Sequence, residues 1–100
     1  MKKILVLEDE DTIREFVVIN LQRAGYETTE AANGEEALRL FDAAGGAFDI
    51  ALLDVMTPGI DGLTVCREIR SHSNTIGIIM IEAAIGALTA VVPENGEDRL

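Results

Sequence analysis

The 100-residue sequence predicts an α/β domain built on a parallel sheet with helices packed over it. Three observations carry that prediction. Apolar runs recur at residues 4–7, 50–53 and 76–81, without the polar alternation of a half-exposed strand, which is the pattern of strands buried on both faces. Between them lie longer stretches with helical spacing, punctuated by glycine. Two of the runs end in acids, Glu8-Asp9 and Asp54, at the carboxyl ends of strands, where open α/β sheets bind their ligands.

The first strand occupies residues 4–7, and Glu8-Asp9-Glu10-Asp11 follows it directly, with Asp11 placed to cap a helix starting near Thr12. That helix carries Ile13, Phe16, Val17, Leu21 and Ala24 on one stripe and stops at Gly25. Residues 26–31 are more polar and predict a strand near the sheet edge. Asn33-Gly34 marks a turn, and residues 35–44 form a second helix with Ala37, Leu38 and Phe41 inward, closed by Gly45-Gly46. Residues 48–53 make the most apolar strand, hence the central one.

Asp54 leaves that strand into a turn built around Pro58 and Gly59, so its carboxylate should sit at the sheet rim. Leu63, Cys66 and Ile69 then set the inner face of a third helix ending near Ser71, and residues 76–81 give a fourth buried strand. Past residue 82 the pattern weakens. Residues 83–88 suit a short helix, residues 88–92 suit a strand, and residues 93–98 suit a mobile turn. The expected division is a domain at 1–82 and an atypical segment at 83–100.

Composition narrows the function. Eighteen acidic against eight basic residues give a formal net charge of -10, a surface that repels phosphate backbones, so no nucleic-acid partner is expected for this domain. No apolar run approaches a bilayer span, so no membrane is expected either. The apolar stretch after Lys2-Lys3 is too short for a secretion signal, which points to the cytoplasm. Cys66 is the only cysteine, which excludes an intrachain disulfide, and its helical context reads as a small buried hydrophobe. His72 reads as a surface residue near a helix end.

Glu8, Asp9 and Asp54 fall on one rim of such a sheet. Carboxylates gathered there repel one another, and a small hard dication, Mg²⁺ above all, resolves the conflict. One oxygen of Asp54 is then available for a metal and the other for attack on a phosphoryl group. Acids at strand ends also serve merely to cap helices, and the pattern alone leaves both readings open.

The opening Ile-Leu-Val-Leu-Glu-Asp-Glu, the Asp54-x-Met56-x-Pro58-Gly59-x-Asp61-Gly62 turn and the elements between them resemble the receiver domain of bacterial two-component response regulators, over residues 1 to about 81. The resemblance implies a flavodoxin-like doubly wound parallel sheet with strand order 2-1-3-4. It implies Asp54 as phosphoacceptor for a sensor histidine kinase, and a protein that is not an enzyme in its own right. It further implies Mg²⁺ held by Glu8, Asp9, Asp54 and the main-chain carbonyl of Met56. Pro58, Gly59 and Gly62 would shape the loop, and Asp61 would be structural.

The sequence departs from that family in its last fifth. Glu82 stands where the family carries a Ser or Thr, and no lysine follows Lys3, so the lysine that pairs with the phosphorylated aspartate has no counterpart. The usual fifth strand and last helix are expected to be missing or replaced, as in a truncated or altered chain. The fourth strand would then be an open apolar edge, favouring a homo-oligomer through the C-terminal edge. The alternative reading is a degenerate receiver that serves as a non-switching dimerisation scaffold. A small phosphatase is the weakest reading, because Met56 stands where a second aspartate would be needed.

Overall fold

The computed structural model describes residues 1–84 and 87–91. In chain order it contains β1 (Lys3–Leu7), α1 (Asp11–Arg23), β2 (Glu27–Ala31), α2 (Gly34–Ala43), β3 (Ile50–Asp54), α3 (Gly62–His72), β4 (Gly77–Ala84) and β5 (Ala87–Val91). The sheet order is β2-β1-β3-β4-β5. The first four strands are parallel, in the order the resemblance implies, and β5 returns antiparallel to β4.

Strand periodicity divides the core in two. Leu5 and Leu7 of β1, Ala51 and Leu53 of β3, and Ile78 and Met80 of β4 face α2 and α3, where they meet Phe41, Val65 and Ile69. Ile4 and Val6 point the other way, against Val17 and Val18 of α1. This is why residues 4–7 read as an unbroken apolar run: each residue is buried, on alternating faces.

Several expectations are corrected by the packing. On α1 the buried face centres on Val17 and Val18, with Ile13 and Leu21 beside them, whereas Phe16 is 62% exposed and Ala24 is also exposed. The helix lies mainly over β1 and β2, with Ile50 and Leu52 of β3 at the margin, and this seat takes only part of the apolar stripe. Asp11 does not cap α1. Glu10 holds the N-cap position without a side-chain bond, and Asp11 is the first helical residue, accepting instead from Arg14.

On α3 the inner positions are Gly62, Val65 and Ile69, and Leu63 is 45% exposed. The start of the helix sets this phase. Gly62 lies so close over the main-chain carbonyl of Asp54 that a Cβ there would overlap it, which fixes which side of α3 meets the sheet. Cys66, only partly buried, packs against the same core, and burial pushes its thiol pKa up, away from thiolate chemistry.

The fourth strand runs on past residue 81 to Ala84, and a fifth strand covers its edge, so β4 is not the open edge anticipated. The backbone of β5 pairs Met80 with Val91, Glu82 with Thr89 and Ala84 with Ala87, a hairpin in place of a crossover. The short helix proposed for residues 83–88 is therefore replaced by strand over the described part of that stretch. The turn expected at residues 93–98 lies outside the described residues.

The glycine at the α3 start gives a prediction whose sign is informative. Helix propensity alone favours alanine over glycine by about 1 kcal/mol, but overpacking against rigid backbone costs about 1–3 kcal/mol. We expect Gly62→Ala to lower the urea midpoint. A raised midpoint would mean that the loop and α3 separate freely.

Candidate functional site

The site follows from one register. Leu7 of β1 pairs with Leu53 of β3, so the next residue on each strand, Glu8 and Asp54, emerges at the same level. The chain steps from β1 outward to β2 on one side and then crosses back past β1 to β3 on the other, so the strand order reverses between β1 and β3, the topological switch point where such sheets bind ligands. Carboxylate oxygens of Glu8, Asp9 and Asp54 lie within 4.8 Å of one another. The residues picked from the sequence for an acidic pocket are thus together in space.

These groups are more enclosed than a rim position suggests. Glu8 is 1% exposed and Asp54 4%. Each has one oxygen satisfied by a nearby amide: Glu10 N donates to Glu8 Oε2 at 2.9 Å, and Met56 N donates to Asp54 Oδ1 at 3.2 Å. Glu8 Oε1 is buried with no hydrogen-bond partner. Such an orphaned acceptor is costly unless a proton or cation meets it.

Burial pushes the Glu8 pKa up to about 7, against the pull of the Glu10 amide, and the neighbouring Asp54 and Asp9 add to the rise. Burial likewise pushes Asp54 up to about 6, with the Met56 amide opposing it and Asp9 reinforcing it. The two carboxyls titrate as a pair. Without a cation, the pocket therefore retains protons into the neutral range.

The β3–α3 loop is held from both ends. Asp61 caps α3, accepting from Thr64 N at 2.9 Å, and this bond keeps its carboxyl below the ordinary aspartate range. Thr57, which the sequence reading passed over, is buried, and its Oγ1 donates to the Ile60 carbonyl at 3.1 Å. Gly59 takes the left-handed conformation with φ 75°, which accounts for glycine there. Gly34, at the start of α2, presses on the Ile60 backbone so closely that a Cβ would overlap it. Pro58 and Met56 lie exposed on the outside of the loop.

Glu82 lies one residue beyond Ile81, the β4 residue opposite Asp54, and its side chain is exposed. Arg14 lies on α1 outside the apolar stripe. It donates to the main-chain carbonyl of Glu8 at 2.8 Å, to Asp11 at 2.7 Å and to Glu30 at 3.3 Å. Its i,i+3 spacing from Asp11 was the available signal for the second of these bonds.

This arrangement has relatives. The model of the response regulator receiver domain family matches residues 4–92. The transcriptional regulatory protein CseB of Streptomyces avermitilis is 42% identical over 96 residues, covering 95% of this chain and 40% of that protein. The alkaline phosphatase synthesis transcriptional regulatory protein PhoP of Bacillus subtilis is 40% identical over 82 residues, 82% of this chain and 33% of its own length. The chain thus spans well under half the length of these two relatives. Among solved structures, the Thermotoga maritima response regulator TrrA in complex with Mg²⁺-BeF superposes with a TM-score of 0.78 at 46% identity, covering 84% of this chain and 71% of that one. TrrA in complex with the histidine kinase ThkA gives 0.75 at 47% identity, covering 83% and 70%. With a family match over nearly its whole length and sheet, order and acidic pocket to accord with it, the chain belongs to the response regulator receiver domains.

Proposed function

We propose that this receiver domain is the phosphorylation-controlled module of a two-component phosphorelay, with Asp54 as phosphoacceptor and a sensor histidine kinase as donor. The observation that carries the reading is the buried Asp54 carboxylate at the end of β3, gathered with Glu8 and Asp9 within 4.8 Å. Asp54 Oδ1 is held by the Met56 amide, which leaves the other oxygen as the attacking atom. Attack on the phosphorus of a phosphohistidine forms the O–P bond of an acyl phosphate as the P–N bond breaks. The imidazole leaves with the electron pair and takes its proton from solvent. The kinase complex of the similar Thermotoga regulator supports the choice of partner.

Glu8, Asp9 and Asp54, with the main-chain carbonyl of Met56, are the groups that would hold Mg²⁺. The all-oxygen donor set and the orphaned Glu8 Oε1 fit a small hard dication. Bound there, the ion supplies neutralisation of charge on the phosphoryl oxygens. The protein in this reading is a phosphoacceptor that assists its own phosphorylation, not a free-standing enzyme, and it works beside its kinase in the cytoplasm.

Glu82 favours a second reading, a degenerate receiver that acts as a non-switching dimerisation scaffold. An exposed carboxylate in extended strand is unsuited to donating a hydrogen bond to a phosphoryl group. Among the described residues no strand lies beyond β5, and Ala87–Val91 carries neither charge nor proline to discourage pairing. We propose homo-association along that edge under either reading. Light scattering should report a dimer or larger species at micromolar concentration; a monodisperse monomer throughout would remove this part of the proposal.

Two further measurements separate the readings. A small acyl-phosphate donor with Mg²⁺ should add one phosphoryl group by intact mass, and Asp54→Asn should abolish the adduct. Wild type that stays unmodified would leave the scaffold as the better account.

The second measurement uses pH. Both carboxyls titrate higher in the folded chain than unfolded, so the folded chain binds more protons between about pH 4 and the neutral range, and stability falls as pH rises through that window. Metal binding displaces these protons. The Mg²⁺-induced rise in melting temperature should therefore be small near pH 5, grow toward pH 8, and largely vanish in Asp54→Asn. Equal shifts at both pH values would place the ion elsewhere.

A further inference from the structure

We infer that Arg14 is a positioning residue for the acidic pocket: its guanidinium braces the β1–α1 turn so that Glu8 and Asp9 stay beside Asp54. The inference rests on the metal-binding role proposed for those three acids. Glu8 to Asp11 is a run of four consecutive acids, and it faces a fifth, Asp54. Mutual repulsion favours opening such a turn away from the sheet.

Arg14 opposes that opening with three bonds to three elements. One terminal nitrogen donates to the Glu8 carbonyl at the end of β1, the other to Asp11 at the start of α1, and Nε to Glu30 in β2. The side chain is only 17% exposed, so the fork is partly sheltered from water. The backbone of Glu8 is thus held at both its amide and its carbonyl, since its N–H donates to the Ala31 carbonyl at 3.1 Å. Among the described residues the guanidinium donates to the Glu8 main-chain oxygen, Asp11 and Glu30, not to the carboxylates of the pocket. Arg14 therefore shapes the turn while leaving those three carboxylates available to a cation.

That division of labour has a test in which geometry and charge predict opposite signs. Removing a positive charge beside a cation site should tighten Mg²⁺ binding if Arg14 acts through charge alone. If it positions the turn, Arg14→Gln should weaken Mg²⁺ binding, by roughly tenfold or more, the usual effect of losing a partner that orients a metal ligand. Arg14→Lys keeps the charge but lacks the planar fork that spans three acceptors. It should weaken binding as well, whereas the charge account predicts no change.

Affinity is read by calorimetric Mg²⁺ titration of the full chain, well below the melting temperature of each variant. A merely stabilising arginine would lower the melting temperature and leave the affinity of the folded protein as it was. Should Arg14→Gln fail to fold, Arg14→Lys carries the test. Variants that bind Mg²⁺ as tightly as wild type, or more tightly, overturn the inference alone. A wild-type protein that takes up no Mg²⁺ overturns the site reading and this inference with it.

Discussion

The constraint on which the rest of the structure depends is the fixed register between β1 and β3. Both strands are packed between helical layers or neighbouring apolar residues, with Leu5 and Leu7, Ala51 and Leu53 buried on one face. Sliding either strand by one residue would turn that set toward the wrong face. The hydrophobic core therefore decides that Glu8 and Asp54 emerge side by side. Their proximity is unfavourable in itself, and it is tolerated because the energy of strand burial outweighs it. Function here is a by-product of core packing only in the sense that the core makes the awkward juxtaposition unavoidable.

The second layer of organisation is the loop from Asp54 to Gly62, which the chain ties to two helices through main-chain contacts. Gly62 rests on the Asp54 carbonyl and Gly34 on the Ile60 backbone, both too close for any side chain. Asp61 and Thr57 add a cap and an internal bond. Backbone wedged against backbone has little slack. Main-chain contact thus ties the loop that begins at Asp54 to the starts of both α2 and α3.

Much of this was legible in the sequence, for identifiable reasons. Residues 4–7 and 50–53 lack any polar interruption, so they announce buried parallel strands, whereas Asn33 and Asp61, legible only as a turn residue and a loop residue, prove to cap α2 and α3. The acids of the pocket were legible because they follow those strands directly. The phase of α1 and α3 was not. Phe16 and Leu63 satisfy helical spacing as well as Val18 and Val65 do, and the choice between them depends on where each helix is seated. The antiparallel return of β5 escaped notice because residues 83–92 carry small and β-branched residues that suit helix or strand alike. Arg14 escaped because its chief partner is a carbonyl oxygen, which no side-chain pattern encodes.

Arg14 also bears on a problem that any acidic metal pocket must solve. The apo site needs to keep its ligands converged, yet a cation placed among them for that purpose would compete with the metal. A proton is one solution, and burial, which pushes the Glu8 and Asp54 pKa values up, favours it. Protons, however, must leave when the ion enters. A guanidinium bonded to the main chain of Glu8, with its remaining donors on Asp11 and Glu30, is a solution that need not be dismantled. In the role proposed for it, Arg14 steadies the backbone that carries two of the three acids, while the carboxylates themselves would exchange protons for metal. Preorganisation of the turn and occupancy of the pocket are thus assigned to different atoms.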